Sequence, residues 1–176
     1  LTDIWLLEID GDGSEAGTVD NAQNLSSITT GSNGLVLLGD GYASSTPWGG
    51  AINSSTTLAN LDGGTLENGS LTFLLVHGFT GAFEDDLDTN NDGQFDSTPW
   101  TAILDGFGWT DGGGSDFVYA AASLTQGNGH PDAATRIFGD DQSDSFSSWF
   151  NGDITGTVTY QNGSANLPAN AVLTPG

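Results

Sequence analysis

The chain has 176 residues, with 23 Asp plus Glu against 1 Lys plus Arg and a formal net charge of −22. A chain of this length makes one domain, or at most two small ones, and buries ~70 % of its unfolded-state surface without needing covalent staples. The absence of cysteine excludes a disulfide scaffold, a thiol nucleophile and a Cys-based zinc or iron–sulfur site. With Arg136 as the one basic residue, a nucleic-acid backbone and an anionic membrane surface are excluded as partners.

Hydrophobic residues make up 36 % of the chain and fall in strand-sized clusters, which predicts a folded rather than a disordered chain. So much uncompensated acid is compatible with a compact state where salt or divalent cations screen it, as in a salty or calcium-rich exterior. No apolar run reaches the ~18 residues of a membrane-spanning helix. With neither a signal peptide nor a sorting tail, the sequence reads as a piece of a longer exported protein, secreted or at the cell surface.

The first apolar segment, Ile4 to Ile9, reads as a strand running into the acidic turn Asp10-Gly11-Asp12-Gly13-Ser14-Glu15. Leu35 to Leu38 is the second. After the turn Glu67-Asn68-Gly69-Ser70, whose Asn-Gly suits the positive φ angles of a tight hairpin, Leu71 to Val76 is apolar on both faces except at Thr72. It therefore reads as a central strand covered on both sides. Thr101 to Trp109 and Phe117 to Ala122 follow as strands, and Ser143 to Phe150 fits one short helix with Phe146, Trp149 and Phe150 at i, i+3, i+4. Ile154 to Tyr160 alternates as a half-buried strand does. No long window repeats every 3.6 residues, and 27 glycines with Asn, Asp and Ser punctuate the rest. The prediction is an all-β fold of two packed sheets with long acidic loops and at most one short helix. The domain spans 1–161, and 162–176, with Pro168 and Pro175, reads as a linker or tail.

The most specific motif is Asp88-Thr89-Asn90-Asn91-Asp92-Gly93-Gln94-Phe95-Asp96. Asp88, Asn90 and Asp92 stand at positions 1, 3 and 5 of a calcium loop, Gly93 at 6, the Gln94 carbonyl at 7 and Asp96 at 9. Oxygens at this spacing wrap a hard cation at ~2.4 Å, and glycine permits the sharp bend. Pro99 holds the place of the usual glutamate at position 12, so a bidentate ligand has to come from elsewhere, with Glu84, Asp85, Asp86 and Asp105 nearest in sequence. The bland alternative is an Asx-rich turn bonded to its own backbone. The ion expected is Ca²⁺, held in a structural loop rather than a sensor. Asp10 to Glu15 could hold another cation but reads first as a solvated turn, because its spacing lacks a third regular ligand, and Asp140, Asp141 and Asp144 read as surface.

Leu74-Leu75-Val76-His77-Gly78-Phe79 looks like an oxyanion-hole strand, but no Gly-x-Ser-x-Gly elbow accompanies it. His77 is expected at a strand end bonded to a loop, and His130 in a loop. A carboxylate pair for glycoside hydrolysis can be drawn from so many acids, yet they sit mainly in turns. Trp5 and Trp109 read as core. Trp48, between Pro47 and Gly49, is the candidate for stacking on a carbohydrate.

The stretches Ile4-Trp5-Leu6-Leu7-Glu8-Ile9-Asp10-Gly11-Asp12-Gly13, Gly31-Ser32-Asn33-Gly34-Leu35-Val36-Leu37-Leu38, Leu66-Glu67-Asn68-Gly69-Ser70 and Asp86-Leu87-Asp88 through Asp96-Ser97-Thr98-Pro99-Trp100-Thr101 resemble bacterial secreted lamin-tail-like domains. The likeness spans roughly Ile4 to Phe150. It implies an immunoglobulin-like β-sandwich, itself non-catalytic, that serves as one module of a surface or matrix protein or beside a secreted nuclease or phosphatase. The family's opening strand, of Glu-Phe-Val-Glu-Ile type, has no counterpart here. A sandwich without it leaves backbone groups unpaired, which predicts self-association into a fibre, or pairing with a neighbouring module, by strand addition. The sequence thus points to a calcium-stabilised structural or adhesive module. The alternatives are an accessory module of a secreted hydrolase and a carbohydrate-binding module.

Overall fold

A computed structural model describes residues 1–39, 54–61, 66–124, 133–136, 142, 145–152, 161–162 and 165–166. Its strands are β1 (Ile4–Asp10), β2 (Val19–Asn24), β3 (Val36–Gly39), β4 (Thr57–Asn60), β5 (Leu71–His77), β6 (Ala102–Trp109), β7 (Ala133–Arg136), β8 (Trp149–Gly152), β9 (Gln161–Asn162) and β10 (Ala165–Asn166). One four-stranded sheet has the order β2-β1-β5-β6, a second the order β10-β9-β8-β7, and β3 pairs with β4 in parallel. This is the all-β, two-sheet architecture that the apolar pattern predicts, with long acidic loops and a single described turn of 3₁₀ helix at Phe146–Ser148.

Strand register separates two faces of the first sheet. Trp5, Leu7 and Ile9 of β1 lie opposite Val76, Leu74 and Thr72 of β5, while Leu6 and Glu8 lie opposite Leu75 and Phe73. The first face is the core, where Leu7, Ile9, Val19, Leu74 and Val76 pack with Phe79, Leu87 and Ala120. Each such aliphatic side chain contributes about 1.5–3 kcal/mol by leaving water. Two loops cover this face, one bringing Phe79, Leu87, Phe95 and Trp100, the other Val118, Tyr119 and Ala120. On the second face Phe73 lies 5.4 Å from Phe107 and 5.7 Å from Trp109. Trp149 of β8 rests on Phe107 at 4.5 Å, so the second sheet meets the first here.

Several local expectations are corrected. Phe117 to Ala122 forms no strand. It crosses the core face, with the Phe117 amide donating to the Gly11 carbonyl (2.8 Å) and the Tyr119 amide to Thr72 Oγ1 (3.0 Å). The helix expected over Ser143 to Phe150 shrinks to one turn, because Ser145 makes no capping bond and Trp149 is already extended at φ −121° and ψ 147°. The Asn68-Gly69 turn does not use positive φ; a Cβ on Gly69 would lie 2.1 Å from Asp12 Oδ2, so close approach is what selects glycine there. The second sheet runs on to Ala165–Asn166, so pairing continues past the boundary expected after residue 161. Ile154 to Tyr160 lies outside the described residues.

Candidate functional site

The Asp88 to Asp96 loop is built around one buried carboxylate. Leu87 anchors the loop in the core, and Asp88 beside it is fully buried. Asp88 Oδ1 accepts from the Asp92 amide (3.1 Å), and Oδ2 accepts from the Gly93 amide (2.8 Å) and the Tyr119 hydroxyl (2.8 Å). The bend needed to aim those amides inward is made at Asn91 (φ 52°) and Gly93 (φ 82°). At Gly93 an added Cβ would also lie 2.4 Å from the Phe117 ring, so both conformation and space require glycine. Asp92 Oδ1 takes the Gln94 amide (3.0 Å), Thr89 Oγ1 donates to Asp96 Oδ2 (2.5 Å), and the Leu87 carbonyl accepts from the amides of Asp96 and Ser97. Phe95 stacks on Tyr119 at 4.6 Å and meets Trp100 edge-on at 5.3 Å, which ties the loop's far end to the core.

Burial by itself would raise the pKa of Asp88. The hydrogen bonds from Tyr119 and from the amides of Gly93, Asp92 and Asn91 outweigh it and hold the carboxyl below its ordinary value. Tyr119 is pushed the other way, first by burial and then by its bond to Asp88, and stays a phenol donor. Asp88 is thus an anion satisfied by protein donors, with the lone pairs that those donors leave over as its capacity for a cation. Asn90, Asp92, Gln94 and Asp96 stand at the exposed rim. The carboxylates of Asp88, Asp92 and Asp96 do not converge as a group of oxygens within 4.8 Å. Of the acids expected to stand in at position 12, Asp105 pairs with Leu75 on the opposite face of the sheet. Asp85 takes the Ala82 amide and Asp86 the Asp88 amide.

The structure assembles two further carboxylate groups, each with oxygens within 4.8 Å of one another: Asp10, Asp20 and Glu67, and Asp12, Asp111 and Asp116. The first includes a pair of strongly perturbed acids. Burial pushes Asp10 up to about 6 and, with a hydrogen bond that protonated Asp20 donates to Glu67, Asp20 up to about 8. Glu8, 3 % exposed, is raised by the same desolvation, although its Oε1 accepts the Glu67 amide. In the second group Ser70 Oγ donates to Asp116 Oδ2 (3.0 Å) and accepts from the Asp111 amide (3.0 Å). Only the Asp10 to Glu15 turn was visible in the sequence. Asp20, Glu67, Asp111 and Asp116 reach it through strand pairing and carry no local signal.

His77 ends β5 and its Nδ1 lies 2.8 Å from Thr101 Oγ1, the strand-end arrangement expected of it. Trp5 packs against the core, and Trp109 Nε1 donates to the Gly69 carbonyl (3.0 Å). Trp48, His130, Asp140, Asp141 and Asp144 lie outside the described residues. No helix among the described residues is long and apolar enough to cross a membrane.

Fold and loop together define an acid-rich, all-β sandwich domain. Beyond that class, no protein-family model, no curated protein and no solved structure matches the chain.

Proposed function

We propose that this chain is a non-catalytic, extracellular structural or adhesive module whose Asp88 to Asp96 loop is stabilised by Ca²⁺. The observation that carries the reading is a fully buried, ionised Asp88 at the first position of a loop with calcium-type spacing, bent at Gly93. Asn90, Asp92, the Gln94 carbonyl and Asp96 supply the remaining oxygens once the rim closes on the ion. The cation offsets the crowding of Glu84, Asp85, Asp86, Asp88, Asp92 and Asp96 and stiffens the loop that covers the core face. The resemblance to lamin-tail-like domains supports the same reading, and with it assembly through sheet edges.

Thermal unfolding with calcium and with chelator tests this reading. Calcium at a hundred times its dissociation constant adds about 2.7 kcal/mol, which raises Tm by about 5–10 °C in a domain of this size. Asp92→Ala removes the difference and Asp116→Asn retains it. Superimposable melts with calcium and with chelator would overturn the proposal. A calcium effect lost in Asp116→Asn but kept in Asp92→Ala would move the ion to the Asp12, Asp111 and Asp116 group.

A further inference from the structure

Asn-Gly pairs recur along the chain, at Asn33, Asn68, Asn128, Asn151 and Asn162. In such a pair the glycine nitrogen can attack the asparagine side-chain carbonyl and close a five-membered imide, because glycine has no side chain to block the approach and both groups belong to one molecule. A folded chain permits this only where the side chain and the joining peptide group are free to turn toward each other. Asn128 and Gly163 lie outside the described residues, and Asn151 lies in β8. Asn33 and Asn68 are both exposed, and hydrogen bonding separates them.

At Asn33 every reacting group is held. Its Nδ2 donates to Thr56 Oγ1 (2.8 Å), its Oδ1 accepts the Leu35 amide (3.1 Å), and the Gly34 amide donates to the Gly31 carbonyl (2.8 Å). At Asn68 none is held. Among the described residues no hydrogen bond reaches its side chain, its carbonyl or the Gly69 amide. The anchors stand on either side. The Glu67 amide donates to Glu8 Oε1 (2.9 Å), Trp109 Nε1 donates to the Gly69 carbonyl (3.0 Å), and the Ser70 amide donates to Asp12 Oδ1 (3.2 Å). The peptide group between Asn68 and Gly69 is thus an unbonded link between fixed points.

We propose that Asn68-Gly69 is a self-modification site of the folded protein, where the Asn68 amide is converted to a carboxylate with water as the co-reactant. The Gly69 nitrogen gives up its proton and bonds to Asn68 Cγ, the Cγ–Nδ2 bond breaks, and Nδ2 leaves as ammonia. Water then opens the imide at either carbonyl. Cleavage of the new N–Cγ bond leaves aspartate. Cleavage of the original peptide bond leaves isoaspartate, whose main chain is longer by one methylene. Both products add a negative charge to a chain of net −22, next to Glu67 of one carboxylate group and two residues before Ser70, which bonds Asp116 of the other. Isoaspartate also lacks room, because Gly69 is buried and even a Cβ there would lie 2.1 Å from Asp12 Oδ2. The added methylene displaces the bonds to Trp109 and Asp12 that hold the start of β5. Ageing therefore loosens this end of the sheet, away from the calcium loop.

The test incubates the full chain in mildly alkaline buffer at constant calcium, digests samples in acid, where the imide does not form, and reads the amide-to-acid mass gain at each asparagine. Isomerisation of aspartates leaves the mass unchanged and does not enter. Asn68 is expected to convert with release of ammonia, and Asn33 at least about tenfold more slowly, since its hydrogen bonds must first break. In urea, where those bonds are gone, the two convert at similar rates. Aged protein melts below fresh protein, whereas Asn68→Ala, which removes a side chain that makes no bond, keeps its Tm through the same incubation. Equal rates at Asn33 and Asn68 in the folded chain, or conversion of Asn68 in urea alone, would overturn the proposal. An unaltered Tm once Asn68 has converted would overturn its consequence for β5. None of these outcomes depends on whether chelator lowers Tm.

Discussion

Asp88 and Tyr119 form the contact on which the acidic loop and the core depend on each other. Because hydrogen bonds hold the folded pKa of Asp88 below the ordinary value, its contribution is present above about pH 4 and is lost as the pH falls through the lower folded pKa. Tyr119→Phe removes one donor from a buried charge and costs about 1.5–3 kcal/mol in urea unfolding at neutral pH, with the acid-unfolding midpoint moving to higher pH. A variant as stable as the parent at both ends of the scale would show that this bond carries no weight. The place of Asp88 at position 1 was legible in the sequence, because loop spacing is a local property. Its donor Tyr119 lies 31 residues away and was not. Thr72, the one polar break in an apolar strand, has its reason in the same neighbourhood, since it accepts the Tyr119 amide.

Among the elements, β5 is central in its sheet, between β1 and β6, as its two-sided apolarity predicts. Strands β1 and β6 are likewise found where their apolar runs place them. Strand β2 escaped the pattern because its alternation is polar: Asn21 and Gln23 are 6 % and 4 % exposed, and hydropathy does not register a buried amide. The segment after Phe117 has strand composition but follows a crossing path, which Gly108 makes room for. The Gly108 amide donates to the Ala122 carbonyl (3.0 Å), and a Cβ there would lie 2.5 Å from the Leu71 carbonyl oxygen and 2.9 Å from Val118. Gly108→Ala is therefore expected to cost about 1–3 kcal/mol, and hydrogen exchange should report loss of protection at Leu124 and Tyr119. Unchanged exchange at both amides would show that this segment does not need the small residue.

At the scale of the whole molecule, two sets of acids oppose each other in their pH dependence. Burial raises Glu8, Asp10 (to about 6) and Asp20 (to about 8). Their contribution is complete below the unfolded carboxylate range near pH 4 and is lost as the pH climbs through these folded values. Asp88 has the reverse sign. In chelator, Tm should therefore peak in mildly acidic buffer and decline toward pH 9, with Asp20→Asn flattening the decline. Added monovalent salt should raise Tm most at the alkaline end, where the net charge of −22 is fully expressed and screening has most to relieve. A profile rising from pH 5 to 9 would contradict the desolvation that raises Asp10 and Asp20.

The amino-acid sequence by itself determined the properties that depend on near neighbours: an all-β chain, the central apolar strand and the calcium-type spacing of one loop, beside the net charge of −22. Tertiary structure decided which distant groups meet. Asp10, Asp20 and Glu67 converge only because β1 pairs with β2 on one side and β5 on the other. Side-chain alternation is written into consecutive residues, whereas the approach of groups tens of residues apart follows from register and loop path, which many interactions settle together.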